Sequence, residues 1–175
     1  FYEAIALSTV ALGVLSFSTF PVFVTFLQPL FTKQRLRLPD VLVAIVVFAG
    51  VVVTAPSFEA GNNMFNGILV GGFSGFTYAL LIIFNKTFTN EYSGEKIAFY
   101  EQAVATVLLS PFLFIYKPVF MGQDVLLLAL LGAVFTGLAH TLFIGSLKNI
   151  GTQTASIITC LEPVYSILLA LIMLG

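Results

Sequence analysis

The chain has 175 residues, of which 59% are hydrophobic and 9% are charged, and its net charge is −1. Because a soluble domain carries about 25% charged residues, this composition excludes a soluble globular protein and indicates an integral membrane protein. There is no basic cluster of the kind that binds nucleic acid. The single cysteine, Cys160, and the single histidine, His140, exclude an intrachain disulfide and a cysteine-rich or multi-histidine metal site. We expect no cofactor.

Six apolar runs of membrane-spanning length follow one another, at 8–31, 40–56, 67–86, 97–116, 124–146 and 152–174. Residues 1–5 resemble the end of an earlier span. Continuous apolar runs favour a helical bundle over a barrel, so we predict an all-α polytopic membrane protein. The chain begins at Phe1 and stops inside an apolar run, and we interpret it as a fragment with about six full transmembrane helices.

Basic residues assign the connections between the spans to two sides of the membrane. The fourth connection holds Lys117, whereas the first, third and fifth hold the other six basic residues, Lys33, Arg35, Arg37, Lys86, Lys96 and Lys148. Cytoplasmic connections carry the excess of Lys and Arg. We therefore expect the first, third and fifth connections in the cytoplasm.

Small residues recur at every fourth position in two of the spans. The third span carries Gly67, Gly71, Gly75 and Ala79, and the fifth carries Ala129, Ala133, Gly137, Thr141 and Gly145. Such stripes let helix backbones approach closely in lipid. The pattern predicts tight helix packing, and it leaves open whether these faces also slide during gating.

Glu162 interrupts the last apolar run about 15 Å from its start, near the bilayer midplane. An ionisable side chain at this depth is costly and usually faces a cavity or a partner. Pro163 follows directly and predicts a kink, because proline lacks an N–H and crowds the carbonyl four residues earlier. We predict a transport pathway at Glu162, with a hydrogen-bonded structural glutamate as the alternative.

The first span resembles the last at a shift of 142 residues. Phe1 matches Phe143, Pro21-Val22 matches Pro163-Val164, and Leu27 matches Leu169. Both copies thus carry a proline, and a predicted kink, at the same depth. The last span comes five spans after the first, an odd number, so the copies cross the membrane in opposite directions. Inverted repeats of this kind are common in secondary transporters.

Few polar side chains lie inside the predicted spans. The candidates to line a substrate pathway are Glu162, His140, Thr136, Ser156, Thr159, Tyr78 and Ser74. Alternatively, the hydroxyl groups bond to carbonyls of their own helices. His140 can relay protons, although a histidine bonded to a neighbouring carbonyl is the commoner arrangement. Glu101 lies about one turn inside its span, and we interpret it as an interfacial, solvated residue.

An enzyme is the competing class of function. Intramembrane hydrolysis needs a nucleophile with a base, paired carboxylates or a metal cluster. One central glutamate, one histidine and one cysteine without motif spacing do not supply these groups. The sequence also lacks a phosphate-binding glycine loop, so transport would be gradient-driven or facilitative. A channel or a non-transporting helical module remains the alternative.

The stretch Gly145-Ser146-Leu147-Lys148-Asn149-Ile150-Gly151, followed by Thr154-Ala155-Ser156 and Leu161-Glu162-Pro163-Val164-Tyr165, resembles the fourth helix of an EamA domain. Ala4-Ile5 and Phe20-Pro21-Val22-Phe23 resemble the same helix of a preceding domain. The chain is therefore similar to EamA-type transporters of the drug/metabolite transporter superfamily. Phe20 stands in the first copy where Glu162 stands in the second, so Glu162 has no symmetric partner.

The resemblance implies ten spans built as an inverted repeat of five-helix EamA units. On this template residues 1–56 end the first repeat, 57–66 form an external linker, and 67–175 form the second repeat without its last helix. It further implies alternating-access export or exchange of small organic metabolites, with protons as a candidate coupling ion. The expected location is a bacterial inner membrane, with the lipid bilayer as partner. Substrate and oligomeric state stay open.

Overall fold

The computed structural model describes residues 2–8, 10–32, 36–54, 63–116 and 122–162, together with Tyr165 and Ile172. The regular elements in these residues are helical: α1 (Tyr2–Leu7), α2 (Val10–Phe17), α3 (Phe20–Thr32), α4 (Leu38–Thr54), α5 (Asn63–Phe88), α6 (Gly94–Tyr116), α7 (Gly122–Leu130), a π-helical segment (Leu131–Leu138), α8 (Ala139–Leu147) and α9 (Thr152–Thr159). The all-α prediction is confirmed.

Within the described residues, four helical stretches are long and apolar enough to cross a membrane: Leu12–Thr32, Asn63–Phe88, Gly94–Ile115 and Gly122–Leu147. They correspond to the first, third, fourth and fifth predicted spans. The second predicted span is a shorter apolar stretch, Leu38–Gly50. Only the first part of the sixth lies within the described residues, and the predicted kink at Pro163 lies outside them. The protein is an integral, multi-pass membrane protein.

The chain forms two compact units, which we call the first unit (Phe1–Phe84 with Gly151–Gly175) and the second unit (Asn85–Ile150). In the first unit, α3 packs against both α4 and α9. Its α5 approaches the N-terminal helices at glycines: a Cβ added to Gly67 would lie 2.6 Å from the Ser8 Cβ. The equivalent atom on Gly71 would lie 2.6 Å from the Ser16 Oγ. The first stripe of small residues thus lies at a close helix contact.

In the second unit, α6 packs against α8. A Cβ on Gly94 would lie 2.6 Å from the Gly145 backbone nitrogen, so the two helices approach closely at this pair. Ile97, Ala98 and Ile144 form the buried cluster between them. Most of the remaining apolar surface of this unit is exposed, as expected for side chains whose solvent is lipid.

The π-helical segment is a feature that the sequence analysis missed. Its winding is shown at the following residue, Ala139, whose N–H donates to the carbonyl oxygen of Val134 five residues earlier. Positions four apart therefore do not stay on one face through this segment. The second stripe assumed a continuous α-helix, and this assumption was wrong: Ala129 and Ala133 are exposed, and of its glycines Gly145 is the one a neighbouring helix approaches.

Candidate functional site

The first membrane-spanning stretch is interrupted between α2 and α3. The backbone N–H of Ser18 still donates four residues back, at 2.9 Å, whereas that of Thr19 donates only three residues back, at 3.3 Å. Pro21 is the second residue of α3. Because proline has no N–H, it cannot donate to Phe17, and its ring crowds that carbonyl. The helix is thus broken at Ser18 and Thr19, which we call the first break.

Hydroxyl groups satisfy the backbone around the first break. The Ser18 Oγ donates to the Val14 carbonyl oxygen at 2.8 Å, and the Thr19 Oγ1 donates to the Ser16 carbonyl oxygen at 2.7 Å. The Ser16 Oγ itself donates to the Leu12 carbonyl. These bonds explain how three hydroxyl residues can lie buried in an apolar span, because each unpaired polar group there would be costly.

The same local structure recurs 142 residues later, at Cys160 and Leu161, which we call the second break. Its helix α9 spans Thr152–Thr159 and thus matches α2 under the sequence shift. The Cys160 N–H donates four residues back at 2.9 Å, and the Leu161 N–H donates three residues back at 3.1 Å. Glu162 is helical again, as Phe20 is in the first copy.

The two breaks lie in contact. The Cys160 Sγ donates to the carbonyl oxygen of Ser18 at 3.4 Å, and these two positions are counterparts under the 142-residue shift. Seven residues further along α3, Thr25 accepts a hydrogen bond of 2.7 Å from Gln153, which lies seven residues before Cys160. The contact register runs in opposite directions along the two segments. The two copies of the break are therefore packed antiparallel, with their equivalent positions meeting.

Tyr78 and Glu162 are two of the predicted pathway residues that lie near the breaks. The Tyr78 ring contacts Phe17 and Phe20 beside the first break, with ring centroids 5.2 and 5.1 Å apart. Glu162 follows the second break, is exposed, and lies close enough for its charge to act on the Tyr78 hydroxyl. A carboxylate and a phenol that face the same pathway can bind a substrate ammonium or hydroxyl group, or take up a proton.

Three of the predicted hydroxyl residues bond to their own helices, which was the alternative interpretation. The Ser74 Oγ donates to Val70 at 2.9 Å. On α9, the Ser156 Oγ donates to Gln153 at 2.8 Å and the Thr159 Oγ1 donates to Ala155 at 3.0 Å. Ser156 is also fully buried. These hydroxyls therefore satisfy backbone carbonyls in the described structure.

In the second unit, His140 and Glu101 form a pair. The His140 Nε2 lies 2.8 Å from the Glu101 Oε2, with 21% and 25% of the two side chains exposed. The expected carbonyl partner of His140 was wrong, and so was the solvated interpretation of Glu101. Thr136, on the same predicted face, is exposed. A carboxylate bonded to an imidazole can hold and pass a proton.

The depth of Glu101 in its helix was underestimated from the sequence. Glu101 is the eighth residue of α6 and therefore lies about 10 Å inside the helix, deeper than an interfacial position. Proximity to His140 depends on how α6 packs against α8, which no spacing within one helix reveals. Among the described residues, no group of three or more His, Cys, Asp or Glu side chains is placed to hold a metal ion.

Comparisons with known proteins agree with this architecture. The model of the EamA-like transporter family matches residues 65–175. An "Uncharacterized transporter YxxF" of Bacillus subtilis (strain 168) is 24% identical over 173 residues, covering 96% of this chain and 55% of that protein. The chain thus spans about half the length of this curated relative. No solved structure matches this chain.

Proposed function

The chain belongs to the EamA-like transporter family, and we propose that the full-length protein moves small organic metabolites across a bacterial inner membrane by alternating access. Membership in a transporter family points to transport and not to catalysis. The observation that carries the mechanism is the antiparallel contact between the two breaks at Ser18 and Cys160. Secondary transporters commonly bind substrate where helices of inverted repeats are interrupted.

The second break supplies the chemistry of the proposed pathway. Glu162 is the acidic residue beside it, and Tyr78 adds a hydroxyl group and an aromatic face. A substrate with a polar or cationic group and an apolar body would fit this combination. The protein acts as an exporter or an exchanger, and a proton gradient across the membrane supplies the energy for transport.

Substitution of Glu162 tests the pathway directly. Glu162→Gln keeps the shape of the side chain and its hydrogen bonding but removes its ability to titrate. In cells that produce the full-length protein, we expect normal membrane insertion with efflux reduced about tenfold or more, or with its pH dependence flattened. Glu95→Gln, at the exposed start of α6, is the matched control and should leave efflux unchanged. Wild-type rate and pH profile in Glu162→Gln would make this residue structural.

The Glu101–His140 pair is the second candidate proton site, and counterflow and accumulation measurements on the full-length protein test it. Glu101→Gln removes the acidic member while keeping a hydrogen-bonding partner for His140. If protons pass through the pair, counterflow of unlabelled against labelled substrate persists while proton-driven accumulation is lost. If both activities are retained, the pair only joins α6 to α8. Flux that does not saturate would indicate a channel instead of a carrier.

A further inference from the structure

The second unit contains a pocket at the beginning of α6 that the proposed pathway at Glu162 does not use. Its volume is about 420 Å³, and it is lined by Phe88, Tyr92, Lys96, Ile97, Tyr100 and Glu101. Phe88 is the last residue of α5, and Tyr92 lies in the connection from α5 to α6. The basic residues predict that this connection is cytoplasmic. We therefore expect the pocket at the level of the lipid headgroups of the cytoplasmic leaflet.

Glu101 brings a carboxylate oxygen without a partner to this pocket. Its Oε2 is bonded to the His140 Nε2 at 2.8 Å, whereas its Oε1 has no hydrogen-bond partner among the described residues. The unpaired side-chain oxygens of Asn85 and Gln153 are enclosed by protein, but the Glu101 Oε1 is not. The Glu101 side chain is 25% exposed. A ligand in the pocket can therefore donate a hydrogen bond to this oxygen.

Lys96 decides which charge the ligand carries and which donor it uses. It is exposed and is the third residue of α6, whereas Glu101 is the eighth, so the two positions lie about 7.5 Å apart along the helix. The Lys96 ammonium repels a cationic donor but not a hydroxyl group, and it attracts a phosphate. Glu91 and Glu95 are exposed nearby but do not line the pocket.

The remaining lining and the surface beyond it suit a hydrocarbon chain. The tyrosine rings of the pocket are amphipathic groups of the kind that lie at the membrane interface. Tyr100, Val104 and Leu108 follow one another at four-residue spacing along α6, and all three are exposed. Side chains four apart share one face of a helix. From the cytoplasm inward, the surface thus offers a cation, a hydrogen-bond acceptor and an apolar track.

We propose that this pocket binds a lysophospholipid, with its phosphate at Lys96, its free glycerol hydroxyl donating to the Glu101 Oε1, and its single acyl chain along Val104 and Leu108. In such a lipid the hydroxyl lies between the phosphate and the acyl chain, which is the order of the matching groups on α6. A diacyl phospholipid carries an ester at that position and cannot donate. The site is independent of the transport pathway, because its occupancy is an equilibrium property.

Removal of the hydroxyl group alone tests the proposal. The probes are oleoyl lysophosphatidic acid, its analogue with hydrogen in place of the glycerol hydroxyl, and dioleoyl phosphatidic acid. Each displaces radiolabelled oleoyl lysophosphatidic acid from the full-length protein in detergent. We expect the two compounds without the hydroxyl to bind at least tenfold more weakly, because each lacks a hydrogen bond to a charged acceptor. Equal binding of lysophosphatidic acid and its deoxy analogue, or binding of neither, would overturn the proposal.

Two variants assign the effects to their side chains. Glu101→Leu removes the acceptor and should make lysophosphatidic acid and its deoxy analogue bind equally. Lys96→Gln, at an exposed position where folding is not at risk, should weaken both lipids about fivefold and leave their ratio unchanged. Lys148→Gln, exposed just after α8, is the matched control and should bind like the wild type. A hydroxyl preference that persists in folded Glu101→Leu, or wild-type binding by Lys96→Gln, would overturn the assignment.

Discussion

The first and second breaks have the same backbone and different surroundings. At each break two turn residues, 18–19 or 160–161, lie between the end of a helix and the next helical residue, with matching hydrogen bonds at Ser18 and Cys160. At the first break the side chains are enclosed, and Phe20 is 1% exposed. At the second, Leu161 and Glu162 are exposed. The comparison indicates that the repeat retains the backbone interruption, while the residue after it differs: an apolar Phe20 in the first copy and an acidic Glu162 in the second.

A substitution that disturbs the packing of α5 against the first break should lower the stability of the protein most. A Cβ on Gly75 would lie 2.7 Å from the Phe17 carbonyl oxygen, a backbone atom that cannot turn aside. We expect Gly75→Val to destabilise the protein by about 1–3 kcal/mol or more, seen as a lower melting temperature in detergent. Gly72→Val is the control, because a Cβ there meets no described atom within 4 Å. Equal melting of the two variants would show that α5 does not close this break.

The residues that follow the two breaks should respond in opposite ways. Phe20→Leu removes an edge-to-face contact with Tyr78 and should cost about 1 kcal/mol of stability. Glu162→Gln should leave the melting temperature within error, because its side chain is exposed. Thermal melting of both variants, with efflux measured in parallel, checks this division. Destabilisation by Glu162→Gln alone would reverse the assignment of packed and open breaks.

Loss of the hydrogen bond between the two breaks should lower the stability of the protein least. Cys160→Val removes the thiol donor to the Ser18 carbonyl, and a bond of 3.4 Å from a weak donor contributes a few tenths of a kcal/mol. Cys160→Ser offers a stronger donor at the same place and should be neutral or slightly stabilising. The difference between the two melting temperatures measures the contact. A large loss in Cys160→Ser would mean that packing of the sulfur, and not donation, is important.

The sequence predicted the helical class, most of the spans and the repeated proline position, because hydropathy and proline act locally. It could not predict the Glu101–His140 pair or the bond from Gln153 to Thr25, because both depend on which helix faces join. The π-helical segment also escaped prediction. Its winding leaves no distinctive residue pattern in a run such as 131–138, where nearly every side chain is apolar. Glu162 was found for a local reason, its charge in an apolar run.

The Lys86 side chain is fixed in the second unit in a way that should alter its chemical reactivity. Its ammonium group donates to the carbonyl oxygens of Leu147, Lys148 and Ile150, which occupies all three of its N–H donors. Acylation requires the neutral amine with its lone pair exposed, so these bonds must open first. Lys96 and Lys148 are exposed. Amine-directed labels should therefore modify these two lysines sooner. The slower modification of Lys86 would report how often its three hydrogen bonds open, and thus how often the beginning of this unit separates from its end.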